Sequence, residues 1–553
     1  MQEFIDEIKR TGKIYSEIMQ LEEISKEFQH FYQAPIVAAK VDNILKALQS
    51  PIGQYQLLDF VDMTSEDGIK VYRRSVMFLL IIAIHELFEN VDLIVEHSIN
   101  KGLYCEVHGG SFIDERDIKK IEQRMRKIVA EKREISKKTL PKADAVRLFK
   151  QTGQIEKANL IASLQQEAVS IYCCGEFYDY LYGPMLPSTA SLDLFAIDYY
   201  KPGLIVRTPE CDDPMKVSEL LEQSKLAAIF SEAQTWAKIL HCDYVSDLNR
   251  YNKNKTMGDI IRISEALHEK KIGQIADFIT GNIPKIRLIL IAGPSSSGKT
   301  TFAQRLRVQL RVNGIEPISI SLDDYFLDRN FTPRNEKGEY DFEALGALDV
   351  ELFNQHLLKL LAGETVEIPY YNFVTGKREW HNHLLQVGET QPIILEGIHG
   401  LNEELTKSIE RAAKFKIYIS ALTQLAIDGH NRIPTTDARL IRRMVRDHQS
   451  RGAYALKTIK QWPDVRAGEE KNIFPYQEEA DVMFNSALIY ELGILKKYAT
   501  PLLEKVSCDV PEYSEAIRLL DFLEYFNDIY AEEDVPNNSI LREFIGKSCF
   551  SVG

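Results

Sequence analysis

The chain has 553 residues, 45% of them hydrophobic and 27% charged, with a formal net charge of −14. That length implies several domains, and the composition is that of an ordinary globular protein. The acidic balance argues against a protein that coats nucleic acid nonspecifically. Seven cysteines, without C-x-x-C spacing, suit a reducing compartment better than a disulfide framework.

The opening MQEFIDEIKR mixes acids and bases, unlike a signal peptide. The longest strongly apolar run, Val76–Ile84, falls far short of the roughly 20 residues of a spanning helix. A soluble cytoplasmic protein with no membrane partner is expected. Residues 1 to about 30 read as an amphipathic helical lead-in, with Phe4, Ile5, Ile8, Ile14, Ile18 and Leu21 near helical spacing. Pro35–Leu48 reads as a strand, a turn at Asp42-Asn43 and an apolar continuation, and Tyr55–Asp62 as another strand. A buried helix is predicted over about Val71–Phe88, and a second from the stripe Ile118, Ile121, Met125, Ile128. The second is expected to carry Lys119, Lys120, Arg124, Arg126, Lys127, Lys132, Arg133, Lys137 and Lys138. Because Glu122, Glu131 and Glu134 are interleaved, a solvated face is favoured over an RNA-binding one.

The stretch His97–Val129, followed by Gly175-Glu176-Phe177-Tyr178-Asp179 and Gly183-Pro184, resembles the appended N-terminal region of threonyl-tRNA synthetase. In that family a small TGS domain precedes a second additional domain that edits mischarged tRNA. The family's editing site places two histidines four apart on a helix, then a cysteine and a histidine four apart near the Gly-Pro. Phe78 and Ile82 stand at the first pair and Leu181 and Met185 at the second. Apolar side chains can neither ligate a metal nor move a proton, so no deacylase activity is expected. Cys105 and His108 form a lone C-x-x-H, read as structural.

Asn249–Ile283 keeps a helical beat and stops at Gly281-Asn282-Ile283-Pro284. Leu288–Ala292 is then a short apolar run of the kind buried on both faces of a parallel sheet. It leads into Gly293-Pro294-Ser295-Ser296-Ser297-Gly298-Lys299-Thr300, which satisfies G-x-x-x-x-G-K-[ST] at every fixed position. Phe302, Leu306 and Leu310 follow at helical spacing. Glycines let backbone N–H groups turn inward on a phosphate, and the helix start adds partial positive charge. Lys299 would reach the β- and γ-phosphates and the Thr300 hydroxyl would sit on Mg²⁺. ATP and Mg²⁺ are the expected ligands, with Thr301 completing the ATP-binding stretch.

Further strands are predicted at Arg287–Ala292, Pro317–Leu322, Pro392–Glu396, Phe415–Ser420 and Val482–Asn485. Strands alternating with helices indicate a parallel α/β sheet, whose ligand chemistry gathers at the carboxyl ends of the strands. At those ends stand Asp323-Asp324 and Glu396. A carboxylate at Asp323 could take the proton of an attacking hydroxyl, although, taken alone, a turn or N-cap aspartate is the favoured reading. Glu396 would be costly there unless it held something positive such as hydrated Mg²⁺.

GPSSSGKTT, LDDYF, Tyr340-Asp341-Phe342-Glu343, Ile368–Phe373, LEGI (Leu395–Ile398) and the arginine-rich Arg439–Gly452 together resemble the uridine kinase and phosphoribulokinase family. The resemblance covers Lys285 to about Ala487 and implies ATP-dependent phosphorylation of a hydroxyl. It implies Asp323 as general base beside Asp324, Glu343 gripping ribose hydroxyls, and Tyr371 lining the nucleobase pocket. Arg443, Arg446 and Arg451 fall in the family's mobile lid, where guanidinium groups would neutralise the transferring phosphoryl; taken alone they read as a solvated helix with paired charges. Gln461, with its neighbour Trp462, fits the downstream pattern. Three positions depart from the family. Gly376 stands where a histidine helps to read the pyrimidine, Ala453 where an arginine is expected, and Glu343 where the acid is usually an aspartate. Base recognition must therefore differ. His381, His383 and His430 lack a full ligand set and are read as surface residues, and Leu519–Phe526 as a tail helix packed on a neighbour.

The expected fold class is α/β: a P-loop NTPase parallel sheet flanked by helices, preceded by α+β synthetase-like domains. Expected boundaries are a lead-in and TGS-like domain at 1–65, a second-additional-like domain at 66–248, a connector at 249–284, the P-loop domain at 285–495 and a helical tail at 496–553. The favoured activity is transfer of the ATP γ-phosphate to a nucleoside 5′-hydroxyl. The alternatives are a kinase of a non-nucleoside alcohol and an RNA- or tRNA-binding regulator with a nucleotide-switch P-loop. RNA is the less favoured partner, and a homo-oligomer is left open.

Overall fold

The computed structural model describes residues 19–52, 57–99, 101–109, 114–334, 338, 340–372 and 374–550. The lead-in positions Phe4, Ile5, Ile8, Ile14 and Ile18, and Tyr55 and Phe373, lie outside them. The described part of the lead-in is helix α1 (Leu21–Phe28). Strands β1 (Ile36–Val41), β2 (Ile44–Ala47) and β3 (Leu58–Asp62) form an antiparallel sheet in the order β2-β1-β3. The expected turn is there. Asp42 and Asn43 both take left-handed φ, 51° and 58°, which short polar side chains tolerate and a two-residue hairpin requires.

Helix α2 (Glu66–Leu87) starts at Ser65, whose Oγ accepts from Gly68 N at 3.1 Å. Every residue from Ser75 to Ile84 is buried, as expected of a helix apolar on all sides. Next come β4 (Asp92–Ile99), β5 (Gly102–His108), α3 (Glu115–Glu131), β6 (Ser136–Pro141), α4 (Ile155–Ser163), β7 (Ala168–Cys174), β8 (Phe177–Asp179), β9 (Ala196–Tyr200) and β10 (Gly203–Arg207). They make two antiparallel sheets, ordered β9-β10-β5-β4 and β8-β7-β6.

Ile118, Ile121, Met125 and Ile128 form the buried stripe of α3. On its other faces Lys120 pairs with Asp117 at 2.9 Å, Arg126 with Glu122 at 2.7 Å and Arg124 Nε with Glu86 at 2.6 Å. The basic stretch is shorter as a helix than its sequence suggests. Lys132 turns left-handed at φ 51° and Ile135 drops into the core, so Lys137 and Lys138 stand on β6 instead. Phe78, Ile82, Leu181 and Met185 all lie within one apolar cluster.

Helix α5 (Met257–Thr280) covers most of the segment expected as a connector. Behind it come β11 (Leu288–Ala292), α6 (Lys299–Val312), β12 (Ile318–Ser321), β13 (Ile393–Glu396), β14 (Lys414–Ser420), α7 (Thr435–Arg451), α8 (Ala455–Asn472) and β15 (Val482–Asn485). The five strands are parallel, in the order β12-β13-β11-β14-β15. All residues of β11 and β14 are buried; β11 reads as a continuous apolar run for that reason, whereas β14 carries Lys414 and Lys416, whose ammonium groups pair with Glu403.

The two halves share a core. One cluster joins Phe149 and Ile161 to Ile260 and Ile272 of α5, Ile289 of β11, and Leu519 and Phe522 of α9 (Tyr513–Leu523). Beside it, Lys157 of α4 is ion-paired with Asp179 of β8, and His430 Nδ1 lies 2.7 Å from Asp179 Oδ2. Lys157 and Asp179 are fully buried, so this charged cluster ties the antiparallel half to the loop after β14. No helix among the described residues is long and apolar enough to cross a membrane.

Candidate active site

The strand order places three consecutive strand ends side by side: the Asp323 turn after β12, Glu396 on β13 and the glycine-rich loop after β11. The loop is tightly built. A Cβ on Gly293 would meet the Ile419 carbonyl at 2.1 Å, and Gly298 takes φ 83° as it enters α6. Both positions need glycine, the first for close approach and the second for its left-handed backbone.

Charges converge on this loop. Lys299 Nζ donates to the Pro294 carbonyl at 3.1 Å. Enclosure by protein pulls its ammonium below the ordinary lysine value, against the pull of Glu396 and Glu543. Thr300 Oγ1 lies 3.2 Å from Glu396 Oε2. Desolvation pushes the Glu396 carboxyl up, opposed by Lys299. A carboxylate and a hydroxyl meeting at the end of a phosphate-binding loop are the oxygen donors Mg²⁺ takes, so Thr300 and Glu396 fit that ion. Asp323 is open to solvent, yet surrounded closely enough that desolvation raises its carboxyl, with Lys299 opposing. It is reachable by a substrate and lies within the field of the loop lysine. Asp324 is raised by burial and held by the Tyr371 backbone N–H.

Arginines of α7 meet the loop from the other side. Arg443 Nη1 donates to Ser295 Oγ at 2.7 Å. Arg446 and Arg451 turn to Asp447, at 3.3 Å and 3.5 Å, and Arg443 Nε also pairs with it at 3.3 Å. Tyr371 is buried with its ring 5.4 Å from Phe326, and Gln461 is exposed on α8. The Glu343 carboxylate lies over Gly468 of α8, where a Cβ would come within 1.5 Å of Oε2. Burial, and Glu469 next, push Glu343 up to about 7. At Gly376 a Cβ would meet Arg329 Nε at 2.7 Å, so a guanidinium lies across the position where the resembling family has its histidine.

Several residues that hold the loop escape the motif. Arg439 and Arg442 are buried within α7. Arg439 Nε donates to Ser295 O at 2.9 Å and its Nη2 pairs with Glu469. Arg442 Nη1 donates to Ser296 O at 3.3 Å, and its guanidinium pairs with Glu491. Glu469 also accepts from Ser295 N at 2.8 Å. In sequence these arginines merge with the run that supplies Arg443 and Arg446; their four- and three-residue offsets from Arg443 and Arg439 were the only available hint. The tail supplies Glu543, whose Oε2 accepts from Thr301 Oγ1 at 2.7 Å. The tail thus reaches the loop as well as packing on its neighbours. Cys105 and His108 separate: Cys105 is buried in the apolar core, whereas His108 turns to Glu106 at 3.3 Å.

Comparison with known proteins divides the chain in two. Residues 288–490 match the model of the phosphoribulokinase / uridine kinase family. Threonine–tRNA ligase of Citrifermentans bemidjiense is 30% identical over 161 residues, covering 29% of this chain and 25% of that protein. The Geobacillus enzyme of the same name is 30% identical over 177 residues, covering 32% and 28%. The chain therefore spans about a quarter of the length of these curated relatives. Among solved structures, one described as a possible uridine kinase from Bacillus stearothermophilus is 20% identical, with TM-score 0.26, covering 38% of this chain and 97% of that one. YFH7 of Saccharomyces cerevisiae is 13% identical, with TM-score 0.28, covering 39% and 98%. Residues 288–490 are a P-loop kinase domain of the phosphoribulokinase/uridine kinase family, in a chain whose N-terminal part is a distant match to threonine–tRNA ligase.

Proposed function

We propose that this protein is an ATP- and Mg²⁺-dependent nucleoside kinase acting on a 5′-hydroxyl. The observation that carries the reading is the placement of Asp323, a solvent-reachable carboxylate within the field of Lys299, one strand away from Glu396 and two from the phosphate loop. The acceptor oxygen attacks the γ-phosphorus as the bond to the β,γ-bridging oxygen breaks, ADP leaves, and the acceptor proton passes to Asp323. Lys299 and the loop amides hold the phosphates, and Arg443, anchored at Ser295, faces the same loop. Mg²⁺, held by Thr300 and Glu396, would supply charge neutralisation on the phosphate oxygens. Seven unpaired cysteines support a reducing, cytoplasmic setting.

A second reading, a kinase of a non-nucleoside alcohol, draws on Arg329 lying across Gly376, which alters the surface a pyrimidine would meet. An RNA-binding regulator is less supported, because Arg124, Arg126 and Arg133 are engaged by acidic neighbours. ADP release measured against a panel of nucleosides, small polyols and RNA separates the three. Stimulation by a nucleoside supports the first reading; stimulation by polyols alone, or by RNA alone, refutes it.

A further inference from the structure

Helix α6 begins with amide donors on Lys299, Thr300 and Thr301 that have no carbonyl partner within the helix. Such a helix end is the natural seat of a phosphate. In this chain it already has an anion. Glu543 Oε2 accepts from Thr301 N at 3.3 Å and from Thr301 Oγ1 at 2.7 Å.

The segment carrying Glu543 is fixed in place. Ile540, Leu541, Phe544 and Ile545 are each 4% exposed or less. Arg542 donates to the Glu532 and Val535 carbonyls at 2.9 Å and 2.8 Å. The Phe544 ring lies 5.0 Å from the guanidinium of Arg442, which itself bonds the loop at Ser296. Ile540 packs on the loop at Gly298, where a Cβ would come within 2.5 Å of its Cγ2. The backbone is anchored, so the movable part is the Glu543 side chain, which turns about three bonds.

We propose that the Glu543 carboxylate is a built-in competitor of the nucleotide, seated at the start of α6 until a phosphate displaces it, and so sets the affinity of the site for ATP. This rests on reading Gly293–Thr301 as a triphosphate loop. Two anions cannot share the Thr301 donors, and at that separation they repel each other. Binding therefore couples arrival of the phosphate to rotation of Glu543 away from Thr301. Without nucleotide the helix end faces the Glu543 carboxylate, which adds to Glu396 in balancing the charge of Lys299.

The test is a titration of the full-length protein with Mg²⁺ and a fluorescent ATP analogue, using wild type, Glu543→Gln, Glu543→Ala and Lys299→Ala. Loss of a charge-assisted competitor should tighten binding by at least about tenfold in Glu543→Ala, with Glu543→Gln between it and wild type. Glu543→Gln keeps the size of the side chain, so it carries the test if the alanine variant does not fold. Equal or weaker binding by the Glu543 variants, with wild type still binding and Lys299→Ala not, overturns the proposal while leaving the loop's role intact. Failure of wild type and both Glu543 variants to bind overturns the triphosphate reading itself.

Discussion

The buried pair that holds the phosphate loop can be broken from one side. Arg439 and Glu469 are each 2% exposed. Glu469 accepts from Ser295 N at 2.8 Å and from Arg466 Nη1 at 3.0 Å, while Arg439 Nε holds the Ser295 carbonyl at 2.9 Å. Glu469→Gln leaves a guanidinium buried without its counter-charge, at a cost of about 3–5 kcal/mol. Replacing both residues by methionine removes both charges together, and the loss should shrink by more than half. The Ser297 amide is the local reporter, since its hydrogen bond to the Pro294 carbonyl, at 3.2 Å, closes the loop and is removed by neither substitution. Opening made easier by about 3 kcal/mol speeds its hydrogen exchange by roughly two orders of magnitude. Exchange mass spectrometry on peptides spanning residues 290–298 reads this without assuming two-state unfolding of a large chain. A change below about threefold in Glu469→Gln, or a double variant as damaged as the sum of its singles, would refute the reasoning.

Three other outcomes follow from the site and the junction. Asp323→Asn should lower kcat by about 10²–10⁴-fold, the usual share of a general base, while ATP affinity in a binding titration stays near wild type; a parallel loss of ATP affinity would show that Asp323 holds the loop instead. Burial, and Glu469 next, push the Glu343 carboxyl up to about 7; if Glu343 grips the acceptor's hydroxyls, only its ionised form accepts from both, and kcat/KM for the acceptor should rise as pH climbs through about 7. Glu343→Gln should flatten that profile, and an unchanged rise assigns the titration elsewhere. Asp179 is fully buried and held down at about 2, against an ordinary 3.8, by His430 and Lys157 in spite of burial. Its stabilisation, of order 2 kcal/mol, is present in full above the unfolded value and is lost as pH falls from about 4 towards 2. Acid unfolding followed by circular dichroism should therefore be less steep in that window for Asp179→Asn, and an identical acid transition would exclude the pair from the junction's stability.

The central strand of the kinase half was legible because it is buried on both faces and so appears as an unbroken apolar run between turn residues, Leu288–Ala292, whereas β12 at the sheet edge is only partly buried and alternates Ile with Ser. The loop was legible because G-x-x-x-x-G-K-T has fixed positions that the chemistry of phosphate demands. What stayed hidden are pairings between charges far apart in sequence. Arg439 and Arg442 look like any basic helix until Glu469 and Glu491 are brought beside them. Lys157, Asp179 and His430 are three unremarkable residues until β8 and the loop after β14 meet. Glu543 lies 242 residues from Thr301, in a stretch where local pattern shows only apolar spacing. The end of α3 was overrun for a local reason: a lysine taking left-handed φ is rare enough that composition gave no sign of it.

The most direct test of the account is phosphoryl transfer to a defined oxygen. Purified full-length protein would be given Mg²⁺ and γ-labelled ATP with each of a set of nucleosides and with the matching 5′-deoxy analogues, alongside Lys299→Ala and Asp323→Asn. The account predicts label at the 5′ position of at least one nucleoside, none on its 5′-deoxy analogue, and loss of transfer in both variants. Label on no nucleoside while ATP is bound, or equal ATP consumption with the 5′-deoxy analogues, would contradict it.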